Sequence, residues 1–557
     1  REEIRLSVGE TDAAGSPAAA GRPAWPARLR AQARVAVIRG RLWLATLPGL
    51  VSRHRVFCWT LAIGLVLRLI TMAAYRPAIL VRQDSYDYMW DAVHFTPDPV
   101  RPNGYAFFLA LMRPFDSLAL TAGLQHLMGL AIAVMVYALL INRGVPGWGA
   151  TLAAAPVLFD PRELNLEHSI MSDTLATLLM LAALVVLIIR QPPSVWRPPS
   201  VTRAAVSGLL MGIAGLVRPI TLPLFVLVAG YLVIQHAGWR RAGAALAAGA
   251  LPLAGYALWF STFYGTVNLT TSEGLFLWSR TMTFANCATI NPPANLQGLC
   301  PNRQPAHLKV KPHKSNAYSR LLAQPTPEIY LWNRRSWLWQ PPAKYLVPDV
   351  YAFTPAKNTR AMSFALRAIA AQPQDYALAV SEDVALTFLD TDHSLIFAGR
   401  MLAPTSVNFN YQVTALREYL GHGTPLTSVK GTPVHQPYAY VIHGYQSRLY
   451  FPGLLFALVL AGGFIGILMP RRRSGAAMLL WASAAVMIIL PSAEHTFNYR
   501  YALPAVPLAC MALALVLTTR HGADGGPRLR VPSPRRRQPS RQPVPDQAER
   551  AEQVSAG

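Results

Sequence analysis

Residues 56–75 read VFCWTLAIGLVLRLITMAAY, and residues 82–91 read RQDSYDYMWD. The first stretch carries a single charge, Arg68, and has the roughly 20-residue length that an α-helix needs to cross a hydrocarbon core. Comparable apolar runs recur at 118–142, 147–160, 169–189, 203–218, 219–236, 242–261, 452–470, 475–491 and 501–519. The chain is therefore read as an all-α polytopic membrane protein with about ten transmembrane helices. Of its 557 residues, 52% are hydrophobic and only 14% charged, a balance that argues against a soluble enzyme.

The net charge of +24 raises the question of nucleic acid. The arginines, however, gather in both tails and in the short links between apolar runs: Arg143, Arg190 with Arg197 and Arg203, Arg240 with Arg241, and Arg471 to Arg473. When the helices alternate, all of these fall on one side, which the positive-inside bias makes cytoplasmic. No nucleic-acid partner is expected. Residues 1–50 lack the apolar core of a cleavable signal, so the first span is expected to direct insertion.

This divides the chain into a basic cytoplasmic segment at 1–55, a transmembrane module at 56–261, a large extracytoplasmic mixed loop domain at 262–451, transmembrane helices at 452–519 and a disordered cytoplasmic tail at 520–557. The apolar piece from Asn103 to Phe115, bracketed by Pro102 and Pro114, is too short to span and is read as a helix lying in the interface. Residues 27–50 are read in the same way on the cytoplasmic side. Residues 359–390 show helical periodicity broken at Gln372-Pro373, which predicts two helices over the membrane face. Cys287 and Cys300 share the large loop and can pair if it faces an oxidising compartment; Cys58 and Cys510 lie in apolar segments.

Asp84, Asp87 and Asp91 follow the first span directly, and helical spacing puts them along one face. A carboxylate there can act as general base or hold a metal ion, while on the residues alone an ordinary solvated helix face is the favoured account of the pattern. A second extracytoplasmic group is Glu167 and His168, next to Ser169-Ile170-Met171-Ser172-Asp173. Asp173 at the membrane edge is costly to bury, so it is expected to face the bundle interior or a wet cavity, and Glu167 and His168 to join Asp84 at one site. The alternative is a capped helix end with both neighbours on the surface.

The Asp84-Ser85-x-x-Tyr88 pattern, followed by Arg101-Pro102-Asn103-Gly104-Tyr105 and an interfacial helix, resembles the GT-C superfamily of membrane glycosyltransferases. Protein O-mannosyltransferases and the aminoarabinose transferase that modifies lipid A belong to it. The resemblance implies a GT-C-like fold and a sugar donor linked to polyprenyl phosphate. It makes Asp84 the catalytic base, with Asp87, Glu167, His168 and Asp173 in support. Asp87 stands where some relatives carry a basic residue. Arg500, in Arg500-Tyr501-x-x-Pro504, is similar to the arginine entering a late helix in many of these enzymes and is expected to contact the donor phosphate. Arg218 sits at another extracytoplasmic helix end and is assigned the same task, because forked guanidinium donors suit phosphate. Snorkelling to headgroups is open to both, and Arg68 either snorkels or pairs within the bundle.

Two further features are set aside. Asp390-Thr391-Asp392-His393 has the form of a nucleotide-sugar metal motif but reads as a capped turn, and Trp332, Trp337 and Trp339 read as packing against the membrane surface rather than stacking on sugar. A transferase moving a sugar from a polyprenyl-phosphate donor to an envelope glycan, glycolipid or protein is thus expected in the plasma membrane, with a divalent metal neither required nor excluded. A transporter or flippase for lipid-linked sugars and a non-catalytic scaffold are the alternatives.

Overall fold

The computed structural model describes residue 49 and residues 52–189, 198–304, 327–333, 335–339, 352–389, 409–421, 432–469 and 474–518. Most of the N-terminal basic segment, Arg190 and Arg197, Asp390-Thr391-Asp392-His393, Arg471 to Arg473 and the tail at 520–557 lie outside the described residues.

Helices dominate the described residues. In order they are α1 Arg55–Ala74, α2 Arg82–His94, α3 Gly104–Met112, α4 Leu118–Asn142, α5 Gly147–Phe159, α6 Pro161–His168, α7 Asp173–Ile188, α8 Val201–Val217, α9 Leu222–Ile234 and α10 Trp239–Tyr264. The insertion supplies α11 Glu273–Thr281, α12 Pro355–Ala371, α13 Pro373–Leu389, α14 Phe409–Tyr419 and α15 Tyr438–Gln446, and the chain closes with α16 Gly453–Leu468, α17 Gly475–Glu494, a turn at Tyr499–Ala502 and α18 Ala505–Thr518. Among the described residues, α1, α4, α10, α17 and the stretch Tyr499–Thr518 are five helices long and apolar enough to cross a membrane, and five shorter apolar helices accompany them.

Burial follows the sequence pattern. On α1 the inward face carries Phe57, Gly64, Arg68 and Thr71, while Trp59, Ile63 and Val66 are more than half exposed on the outward face. An outward apolar face is what a hydrocarbon solvent permits and water does not favour. Helices α8 and α10 pack through small residues: a Cβ on Gly208 or Gly212 would meet the Ala245 or Gly249 carbonyl at 2.0 and 2.3 Å. Such close backbone approach is how helices associate where no hydrophobic drive separates them from lipid.

Several expected boundaries shift for local reasons. Residues 160–168 are expected as a loop but form α6, because the Asp160 carboxylate accepts from Arg162 N at 2.8 Å and Pro161 sits at the first helical position. The run from 169 does not start a helix at Ser169; residues 169–172 are extended or bent, and Ile79 pairs with Ser169 in an isolated parallel bridge. The break at Gln372 is present, with Gln372 ending α12 and Pro373 starting α13. Trp337 and Trp339 are taken up by a core of the insertion itself, whereas Trp332 stays 41% exposed. Trp337 packs against buried Trp278 at 5.7 Å, and Trp339 donates its indole N–H to the Leu331 carbonyl at 2.6 Å, inside a core with Phe353 and Phe364. Cys287 and Cys300 are joined by a disulfide at the edge of that core.

Candidate active site

Asp84 lies in the first turn of α2, where the positive end of the helix dipole favours a carboxylate. The helix is bolted in place at that end. Ser85 Oγ accepts from Val81 N at 2.8 Å and donates to the Ile170 carbonyl at 2.9 Å, and Tyr88 OH is 3.0 Å from Ser172 Oγ. These bonds join α2 to the segment that delivers Asp173, so the two carboxylates share one rigid corner.

Three arginines meet them. Arg101 Nη1 is 3.3 Å from Asp84 Oδ1 and its Nη2 is 3.6 Å from Asp87 Oδ2. Arg500 Nη1 is 3.2 Å from Asp84 Oδ2, with Nη2 3.5 Å from Asp173 Oδ2. Arg218 pairs with the other Asp173 oxygen, and the Tyr501 ring lies beneath the guanidinium groups of both Arg218 and Arg500. Asp84 is 32% exposed, whereas Asp173 is 2% exposed. Asp84 is therefore the carboxylate within reach of a molecule from outside. Asp87 and Asp91 are buried, which overturns the solvated-face reading of this helix.

Each arginine is delivered by backbone that the sequence specifies. Arg101 rides on a turn in which Asp98 Oδ1 accepts its amide at 3.0 Å, while Asn103 donates to the Thr96 carbonyl at 2.7 Å and accepts from Tyr256 OH at 2.8 Å. Arg218 ends α8 just before Pro219, whose ring cannot continue a helix as donor. The same turn needs Gly104, because a Cβ there would sit 2.4 Å from the Leu216 carbonyl carbon. Arg500 follows the Asn498 cap, whose side chain accepts the Arg500 amide at 3.1 Å.

Burial opposes ionisation of Asp84, but Arg101, Arg500 and Arg218 together outweigh it and hold its carboxyl below the ordinary range. Burial and the neighbouring Arg500 bring Arg218 down to about 10, which leaves it cationic at neutral pH. The corner thus contains an ionised, reachable carboxylate among cations that can bind an anion.

Glu167 and His168 do not join this group; the structure gives them other partners. Glu167 Oε1 is 2.6 Å from Arg68 Nη2, and its Oε2 is 2.8 Å from His126 Nδ1. Both Arg68 and Glu167 are 1% exposed. A guanidinium in the middle of an apolar helix needs a buried counter-ion, and α6 brings Glu167 to it. His168, kept neutral by burial and by His126 and brought down to about 3, donates from Nε2 to the Tyr75 carbonyl at 2.5 Å and accepts at Nδ1 from His126 at 3.1 Å. This chain braces the connection between α1 and α2. Glu167→Ala leaves Arg68 buried without its charge partner and is expected to cost about 3–5 kcal/mol. A fall in the unfolding midpoint of the detergent-solubilised protein checks this, and an unchanged midpoint would show the pair to be dispensable.

Sequence reasoning gave no role to Arg101, Tyr501 or His126. Arg101 had a signal: a lone arginine inside a Pro/Asn turn beside three carboxylates. Among the described residues no group of three or more His, Cys, Asp or Glu side chains gathers as a metal site.

No family model matches the chain, and no curated protein matches it either. Among solved structures it is similar to the Archaeoglobus fulgidus oligosaccharyltransferase in its apo form, at 14% identity over 82% of this chain and 50% of that one, with a TM-score of 0.32. The archaeal oligosaccharyltransferase AglB from Archaeoglobus fulgidus, in complex with an inhibitory peptide and a dolichol-phosphate, gives 15% identity, the same coverage and a TM-score of 0.35. The chain spans about half the length of these structures.

Proposed function

We propose that the chain is a GT-C-like integral-membrane glycosyltransferase of about ten spans, using a polyprenyl-phosphate-linked sugar, with the 262–451 insertion on the extracytoplasmic side. The observation that carries this reading is the corner itself: a half-buried, ionised Asp84 between Arg101 and Arg500, with Arg218 one contact further on. The one-sided arginine distribution and the disulfide in the insertion support the orientation.

In this mechanism the donor phosphate binds Arg500 and Arg218, replacing their carboxylate partners. Asp84 Oδ2 then loses its guanidinium neighbour and becomes more basic. The acceptor hydroxyl oxygen attacks the anomeric carbon, the bond from that carbon to the phosphate oxygen breaks, and the electron pair leaves with the lipid phosphate. Asp84 takes the hydroxyl proton. Attack opposite the leaving group inverts the anomeric centre. Asp87 holds Arg101 in register, and Asp173 holds Arg218 and Arg500 until the phosphate takes its place.

The test is transfer of radiolabelled sugar from polyprenyl-phosphate donors in membranes that contain the chain. Label appearing in an acceptor fraction only when the chain is present is the expected result. Movement of intact labelled donor across the bilayer, without transfer, would instead support a flippase.

A further inference from the structure

We propose that Asp383 and Arg280, on two helices of the insertion, are positioning residues that set Arg500 for the donor phosphate; the inference rests on the phosphate role proposed for Arg500. The turn between α17 and Arg500 has few bonds of its own and is gripped from outside. Asp383 Oδ2 accepts the Phe497 amide at 2.9 Å and, on the same oxygen, Arg280 Nη1 at 2.9 Å. Arg280 is 2% exposed, so this ion pair is fixed by its surroundings. Around it, Ser279 Oγ lies 3.3 Å from His495 Nδ1, the Phe276 ring meets His495 edge-on at 4.8 Å, and Tyr376 OH donates to the Ala493 carbonyl at 3.0 Å.

The path to the corner is short. Phe497 precedes Asn498, which caps the Tyr499–Ala502 turn and accepts the Arg500 amide. A Phe497 amide released from Asp383 loses that acceptor, and the turn that aims Arg500 loses its fixed entry. Catalytic geometry tolerates little of this, since a displacement of about 1 Å far from the chemistry can cost on the order of a hundredfold. Neither Asp383 nor Arg280 touches Asp84 or Asp173 among the ion pairs described, so any effect reaches the donor through Arg500. The insertion thereby does more than face the acceptor: it holds one half of the donor's phosphate grip.

The experiment measures binding of polyprenyl monophosphate to the full chain in nanodiscs, together with KM and kcat for the labelled donor and the unfolding midpoint. Asp383→Ala is expected to weaken phosphate binding about tenfold and to raise donor KM more than it lowers kcat, with a lowered midpoint because Arg280 is left buried without its charge partner. Asp383→Asn keeps an oxygen for the Phe497 amide and should recover part of the loss. Arg500→Gln is the reference. If Arg500→Gln binds weakly and Asp383→Ala binds like wild type, the positioning role is overturned while the phosphate role stands. Wild-type binding by Arg500→Gln overturns the phosphate role and this inference with it. Should Asp383→Ala fail to fold, Tyr376→Phe removes one bond from the same grip; about threefold weaker binding supports the proposal, and unchanged binding overturns it.

Discussion

Asp84→Asn is expected to reduce sugar transfer by about 10²–10⁴-fold, the usual contribution of a positioned general base. The replacement keeps the shape of the side chain and one oxygen for a guanidinium, so Arg101 and Arg500 retain a partner and the corner should stay assembled. Loss of rate with polyprenyl-phosphate binding retained, at matched protein levels, is the expected pattern. Equal transfer by variant and wild type would remove Asp84 from the mechanism. The pH profile adds a sign. A base must be deprotonated, and the three arginines outweigh burial to hold Asp84 below its usual value. The acidic fall in kcat/KM should therefore begin below the ordinary carboxylate pKa of about 3.9. Asp84 likewise contributes stability above that unfolded value, and the contribution is lost as pH falls through the depressed one.

Arg500→Gln is expected to weaken donor binding by roughly ten- to a hundredfold, the scale of a charge-assisted hydrogen bond of about 1.5–3 kcal/mol. The effect should fall mainly on donor KM, because the phosphate is held in the ground state as well as in the transition state. Arg500→Lys is a sharper probe: it keeps the charge and loses the fork that reaches Asp84 and Asp173 at once. A lysine that restores full binding would show that charge alone suffices. A lysine as poor as glutamine would show that the two-pronged geometry is what the phosphate uses.

Hydropathy made the apolar helices legible in the sequence, since each run must satisfy its own backbone in a solvent without hydrogen bonds. Ends were less so. α6 was hidden because its polar residues read as a loop, although Asp160 before Pro161 is a start signal in plain view. The carboxylates of 82–91 and the arginines at 218 and 500 could be named from position alone, but not who pairs with whom. Arg101 acquires its place through the turn at Asn103, whose partner Tyr256 is 153 positions away from it, and Glu167 is drawn from Asp84 by Arg68, 99 positions away. Contacts of that span leave no local pattern. Trp337 and Trp339 misled for the complementary reason: their spacing fits a surface as well as a small core, and only the fold around Trp278 decides.

The Arg68–Glu167 pair also has a history in time. During synthesis at about 5–20 residues per second, α1 emerges some 5–20 seconds before the helix that carries its counter-ion. Through that interval the first span holds a lone cation, at about 2.5–3.5 kcal/mol if it sits mid-bilayer, offset by the mean hydropathy of 2.0 around it. Membrane insertion of α1 and its final seating are thus separate events, and α1 settles only when a later part of the chain arrives to neutralise it.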